Sequence, residues 1–150
     1  MQLKIHFLNQ SKISFNYLKL FRKIFALIAK YENFSGEINL DLTLISMQKA
    51  QKLAIKYKNK NYVPDVLSFP NDLVIQENGI KLKFLGEIFM TPAKIYEQAK
   101  KYGHSTKREF SYLFAHSLYH LLGFDHQDEK TNQFMHEKVE KILEELEIMR

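Results

Sequence analysis

Hydrophobic and polar residues alternate along this chain with two distinct periods, and the switches between them mark out its elements. Leu3, Ile5 and Phe7 alternate with Gln2, Lys4 and His6, the two-residue period of a strand. Ser11 or Ser14 is then placed to cap a helix reaching about Tyr31, because Leu18, Phe21, Phe25 and Ile28 recur three or four residues apart. After Gly36, Ile38, Leu40, Leu42 and Leu44 alternate as a second strand, and Ser46 caps a helix through roughly Tyr57. A polar stretch, residues 58–63, leads past Pro64 into a short strand, Val66 to Phe69, closed by Pro70. Asn78-Gly79 predicts a turn before a longer strand over Leu82 to Met90. Thr91-Pro92 opens a helix, with Thr as cap and Pro in the first turn, and it ends near Tyr102-Gly103. Ser105 or Thr106 caps the next, which runs to Leu122 and stops at Gly123, and a last helix covers about Lys130 to Ile148.

This order predicts one α+β domain over residues 1–150, a small mixed sheet of about four strands packed with helices. At 45% hydrophobic residues the chain can bury a real core. With no cysteine, disulfides, thiolate zinc sites and cysteine nucleophiles are excluded. The start of the chain lacks a basic segment followed by an apolar run. The longest uncharged apolar run, Ile24 to Ala29, is far too short to span a bilayer, so a soluble, cytoplasmic protein with no membrane partner is expected. The formal net charge of +5 is uneven: from Gln127 onward seven acidic residues face four basic ones, leaving a net of +8 on the rest. A basic body fits a polyanionic partner, although a Lys-, Asn- and Ile-rich composition also follows from AT-rich coding.

The chemistry concentrates in one stretch, His116-Ser-Leu-Tyr-His120-Leu-Leu-Gly123-Phe-Asp-His126. His116 and His120 stand one helical turn apart, so both imidazoles project from one face and reach one ion. Gly123 lets the chain turn, and His126 returns toward the same point as a third ligand. Three nitrogens leave a fourth position open to water, the arrangement of a catalytic zinc site at the end of a helix. The spacing equals that of H-E-x-x-H-x-x-G-x-x-H metalloproteases, but their general-base Glu is here Ser117, whose hydroxyl is too weak a base. Asp125 either orients a ligand imidazole or accepts a proton, or it caps the next turn. His6, His104 and His136 read as ordinary polar residues.

With these residues in place, the chain resembles the YbeY-type rRNA maturation endoribonucleases, whose hallmark reads H-G-x-L-H-L-x-G-[YF]-D-H. Pro64 to Pro70 is similar to the family's T-[DN]-V-L-S-F-P strand, and Leu85-Gly86-Glu87-Ile88 to its L-G-D-I strand. Gln98-Ala99, Gly103-His104-Ser105 and Arg108-Glu109-Phe110 match its Q-A, G-H-S and R-E-L segments. The resemblance implies a small α+β fold and a zinc-like divalent ion on His116, His120 and His126. It further implies hydrolysis of single-stranded RNA, in the 3′-end maturation of small-subunit rRNA and in ribosome quality control, beside ribosomal or ribosome-associated proteins. Lys58 stands where the family carries a phosphate-binding arginine, which keeps the charge and loses the bidentate geometry. Ser117 replaces the motif's Gly, Tyr119 its Leu, and Pro64 the family Thr. Lys52, Lys56, Lys58 and Lys60 are candidates for a groove tracking an RNA backbone, with Tyr57 or Tyr62 for base stacking. Two rivals stay open: a zinc peptidase or amidase, and a non-catalytic ribosome-associated protein with a structural metal.

Overall fold

The computed structural model describes residues 2–125 and 128–149. Ten elements follow in order: β1 (Gln2–Asn9), α1 (Leu18–Tyr31), β2 (Glu37–Leu44), α2 (Met47–Lys58), β3 (Val66–Pro70), β4 (Val74–Glu77), β5 (Ile80–Met90), α3 (Pro92–Tyr102), α4 (Thr106–Leu121) and α5 (Glu129–Glu145). The strands form one mixed sheet in the order β1-β2-β5-β3, with β4 also paired to β5. β1, β2 and β5 run parallel, while β3 and β4 run antiparallel to β5.

The expected α+β class is what the chain adopts, with one strand more than the pattern predicted. β4 escaped notice because Val74 and Ile75 are both exposed and show no alternation. It is the first arm of a hairpin whose turn residues, Asn78 and Gly79, have φ of 51° and 76°. Positive φ at both central positions is the twist-matched turn that Asn-Gly favours, so the predicted turn is the hairpin turn itself. The expected cap of α1 needs correction. Its N-cap is Tyr17, with no side-chain hydrogen bond. Ser11 instead donates to Asn9 Oδ1 at 2.6 Å, inside the loop. The helix begins only at Leu18, after Phe15 is drawn inward, its ring 5.5 Å from both Phe7 and Phe110. Ser46 and Ser105 cap α2 and α4 as expected, accepting from the backbone N–H of Lys49 and Arg108. Thr91 makes no side-chain cap, although Pro92 does open α3.

One face of the sheet carries the core. Leu42 and Leu44 lie opposite Ile88 and Met90, and all four are fully buried against α1 and α4, where Phe21 stacks on Phe114 at 4.2 Å. The alternate residues of β3 and β5 point the other way. There Phe69 meets Tyr57 of α2 and Phe89, so α2 covers that end of the second face. Between Asn39 and Asp41 the register shifts by one residue on β5, a bulge that falls at Leu85-Gly86. Gly86 has φ +135°, and a Cβ there would lie 2.2 Å from the Phe69 carbonyl and 3.1 Å from Leu121. Glycine is required, and its absent side chain lets β3 and the end of α4 approach β5 together. That approach sets β3 beside the histidines of α4.

Candidate metal and phosphate site

From Phe110 to Leu121, α4 is buried at every residue except Tyr112, His116 and His120. Those three are spaced by four, so the helix exposes a single narrow stripe and two imidazoles stand on it. The rings of His116 and His120 lie 4.6 Å apart, edge to face at 89°. Both open onto a cavity of about 560 Å³, together with Ser117, Gly123, Phe124 and Asp125 from the same end of α4. β3 supplies Val66, Leu67, Ser68 and Pro70, while Lys58 and Tyr62 close the side nearest α2. The structure therefore brings Lys58, 50 or more residues away in sequence, to the same cavity as the histidines.

The turn after α4 is a Schellman motif. Gly123 N–H donates to the His120 carbonyl and Phe124 N–H to the Tyr119 carbonyl, each at 3.0 Å. Gly123 has φ +97°, and the accompanying hydrophobic contact is Tyr119 against Phe124, ring to ring at 5.5 Å. Tyr119 is thus the inner half of the clasp that turns the chain toward the cavity. Burial, and after it Glu32, pushes its phenol up to about 12, so it stays neutral. Lys138 of α5 lies over both of these rings and over Phe134, and pairs with Glu32 at 3.2 Å.

The donor set fits a borderline metal such as zinc: two neighbouring imidazoles on one helix face, no thiolate, and an open cavity in front of them. The third expected ligand, His126, lies outside the described residues. Among the described residues no group of three or more His, Cys, Asp or Glu side chains is placed to hold a metal. Asp125 lines the cavity, and Asp128 caps the helix that follows. That carboxylate accepts from Thr131 N–H at 2.8 Å and forms a capping box that starts α5.

Lys58 is exposed at the end of α2, with its ammonium 5.4 Å from the Phe69 ring centroid. Asn59 follows it in the left-handed region, φ 55°, and ends the helix. Of the four lysines expected to line a groove, Lys58 alone lines the cavity; Lys56 instead covers Tyr57 at 5.1 Å. Tyr62 stands 44% exposed at the cavity, its phenol pushed up by burial and then by Asp65. Asp65 anchors the start of β3. Its side chain accepts from Val66 N–H at 2.7 Å and from Gln98 of α3 at 2.8 Å. Desolvation outweighs these bonds and raises its pKa.

The remaining histidines are partnered. His6 Nε2 meets Asn39 Oδ1 at 2.7 Å, and His104 Nδ1 meets Glu109 at 3.2 Å. His136 was read as an ordinary polar residue, yet its Nδ1 lies 2.7 Å from the Tyr112 hydroxyl. The link crosses between helices, and only the four-residue spacing from Arg108 to His120 could have hinted at it.

Comparison with known proteins bears on the family and the fold. The family model described as Endoribonuclease YbeY matches residues 4–147. A protein of Mesomycoplasma hyopneumoniae named Endoribonuclease YbeY is 68% identical over 150 residues, covering 100% of both chains. One of the same name from Mycoplasma mobile is 37% identical over 150 residues, covering 100% of this chain and 99% of its own. A protein of Thermotoga maritima solved in solution shares the fold, with a TM-score of 0.61 at 23% identity over 96% of this chain and 92% of its own.

Proposed function

The chain belongs to the YbeY endoribonuclease family, and from that premise we propose that it is a metal-dependent endoribonuclease that hydrolyses single-stranded RNA. One observation carries the reading: two half-exposed histidines one helical turn apart share a cavity with the cation Lys58. His116, His120 and His126 would hold one zinc-like divalent ion. Such an ion, when bound, lowers the pKa of its water toward neutrality and polarises a phosphoryl oxygen.

The protein's own groups do the rest. Lys58 offsets the charge that builds on the phosphate as the phosphodiester is attacked. Tyr62 offers an exposed aromatic face to a base flanking that phosphate, and a single strand presents such faces while a duplex hides them. Val66, Ser68 and Pro70 of β3 form the cavity wall opposite α4 and keep the phosphate against the histidines. The physiological substrate in this reading is rRNA, at the 3′ end of the small-subunit species and in ribosome quality control. Ribosomal or ribosome-associated proteins are its partners, in the cytoplasm. No helix among the described residues is long and apolar enough to cross a membrane.

Metal analysis of the purified protein, with cleavage of a labelled single-stranded RNA before and after chelation, tests the proposal. Cleavage should stop on chelation and return with added zinc or another divalent ion. RNA left intact under every metal condition would overturn it, and so would chelator-sensitive cleavage of peptides with RNA untouched.

A further inference from the structure

We propose that Tyr112 and His136 are positioning residues for His116, holding its imidazole in ligating orientation through a stacked column that α5 anchors. The inference rests on the reading of His116 as a metal ligand.

Arg108, Tyr112, His116 and His120 succeed one another every four residues along α4, and each covers the next. The guanidinium carbon lies 5.4 Å from the Tyr112 ring centroid. The Tyr112 ring lies 5.8 Å from His116, nearly parallel at 16°, and His116 meets His120 edge to face at 4.6 Å. The foot of this column is Arg108, the one charged side chain buried among the described residues, at 4% exposure. Burying a guanidinium is costly unless it is paired, and here Glu140 of α5 pairs with it. One turn earlier on α5, His136 meets the Tyr112 hydroxyl at 2.7 Å, and its Nε2 lies 3.9 Å from Glu140. The lower half of the column is thus tied to α5 at two points, while the upper half ends in the cavity.

The consequence is for binding. A free imidazole rotates about its side-chain torsions, and a ligand must lose that freedom when it coordinates. With Tyr112 stacked on its ring and His120 in edge-to-face contact, His116 gives up part of that freedom before any ion binds. Outer partners of metal-bound histidines typically contribute 10–100-fold in metal affinity, about the effect expected here. Ordinary packing between α4 and α5 would be different. Its loss would lower stability and leave the affinity of the folded protein unchanged.

The test measures zinc affinity of the full chain by competition with a chromophoric chelator, with cobalt(II) absorption reporting the coordination geometry. Thermal unfolding of the metal-free protein is followed in parallel. Tyr112→Leu, which removes the stack, should weaken zinc binding by about 10–100-fold. Tyr112→Phe keeps the ring and loses only the hydroxyl bond to His136, so it should fall between the two, a few-fold weaker than wild type and short of the Tyr112→Leu loss. His136→Ala removes the same bond from a half-exposed side chain and should match Tyr112→Phe. The double variant should be no weaker than either single one, because both break a single link. Unchanged affinity in folded Tyr112→Leu and His136→Ala overturns the proposal, whatever happens to stability. If Tyr112→Leu fails to fold, His136→Ala together with Tyr112→Phe decides. A wild-type protein that binds neither zinc nor cobalt fails at the earlier step, and the reading of His116 as a ligand falls with this inference. Wild-type binding with undiminished variants sinks this inference alone.

Discussion

Gly123 has φ +97° and open space around the position a Cβ would take, so what it supplies is backbone conformation rather than room. Gly123→Ala should cost about 1–2 kcal/mol, the penalty for an L-residue in the left-handed region, visible as a lower midpoint in thermal unfolding. A substitution without effect would mean that the Schellman turn does not hold in solution. At Lys58 the issue is chemistry. Lys58→Ala should lower kcat by about 100-fold, the low end of the loss for one charge-stabilising donor, with the fold intact by circular dichroism. Lys58→Arg should equal or exceed the wild type, since a guanidinium grips phosphate in two places. Equal activity of all three proteins would remove Lys58 from the phosphate site.

The start of β3 is held by an acid in a poor place for a charge. Asp65 has its pKa raised by desolvation, despite the bonds from Val66 and Gln98, so the folded protein holds this proton more tightly than the unfolded chain does. The cost of the buried charge is present above the folded pKa and is relieved as pH falls through it. Asp65→Asn should therefore be at least as stable as wild type at neutral pH. Wild type should gain on it as the solution is acidified, measured by urea unfolding of both proteins across that range. A constant difference would contradict the raised pKa. At the other end of the site, Asp128 caps α5 through its box with Thr131. Asp128→Ala should cost about 1 kcal/mol by the same measurement.

For the molecule as a whole, a basic body carrying one candidate phosphate site predicts salt-dependent association with RNA. The logarithm of the binding constant should fall linearly with that of the salt concentration, and Lys58→Gln should make the slope shallower by about one. An unchanged slope would place the contact elsewhere. Much of this architecture was legible before any coordinates, because strand and helix periods, Asn-Gly, Pro92 and Gly123 act locally and need no neighbours to be read. The family was legible too, since the histidine spacing of α4 and the glycine turn that ends it are local features of the chain. The α1 start was not, because Phe15 yields its place in the chain pattern to an aromatic cluster drawn from Phe7, Phe21 and Phe110. β4 was hidden because an exposed edge strand has no buried face to impose alternation. What the chain determined by itself was the stripe of four-residue spacings on α4, a consequence of helical geometry alone. Only the tertiary structure decided that Lys58 faces that stripe across β3 and that α5 grips its lower half at Tyr112 and Arg108. Those contacts join residues far apart in sequence, and no local period encodes which distant surfaces will close upon one another.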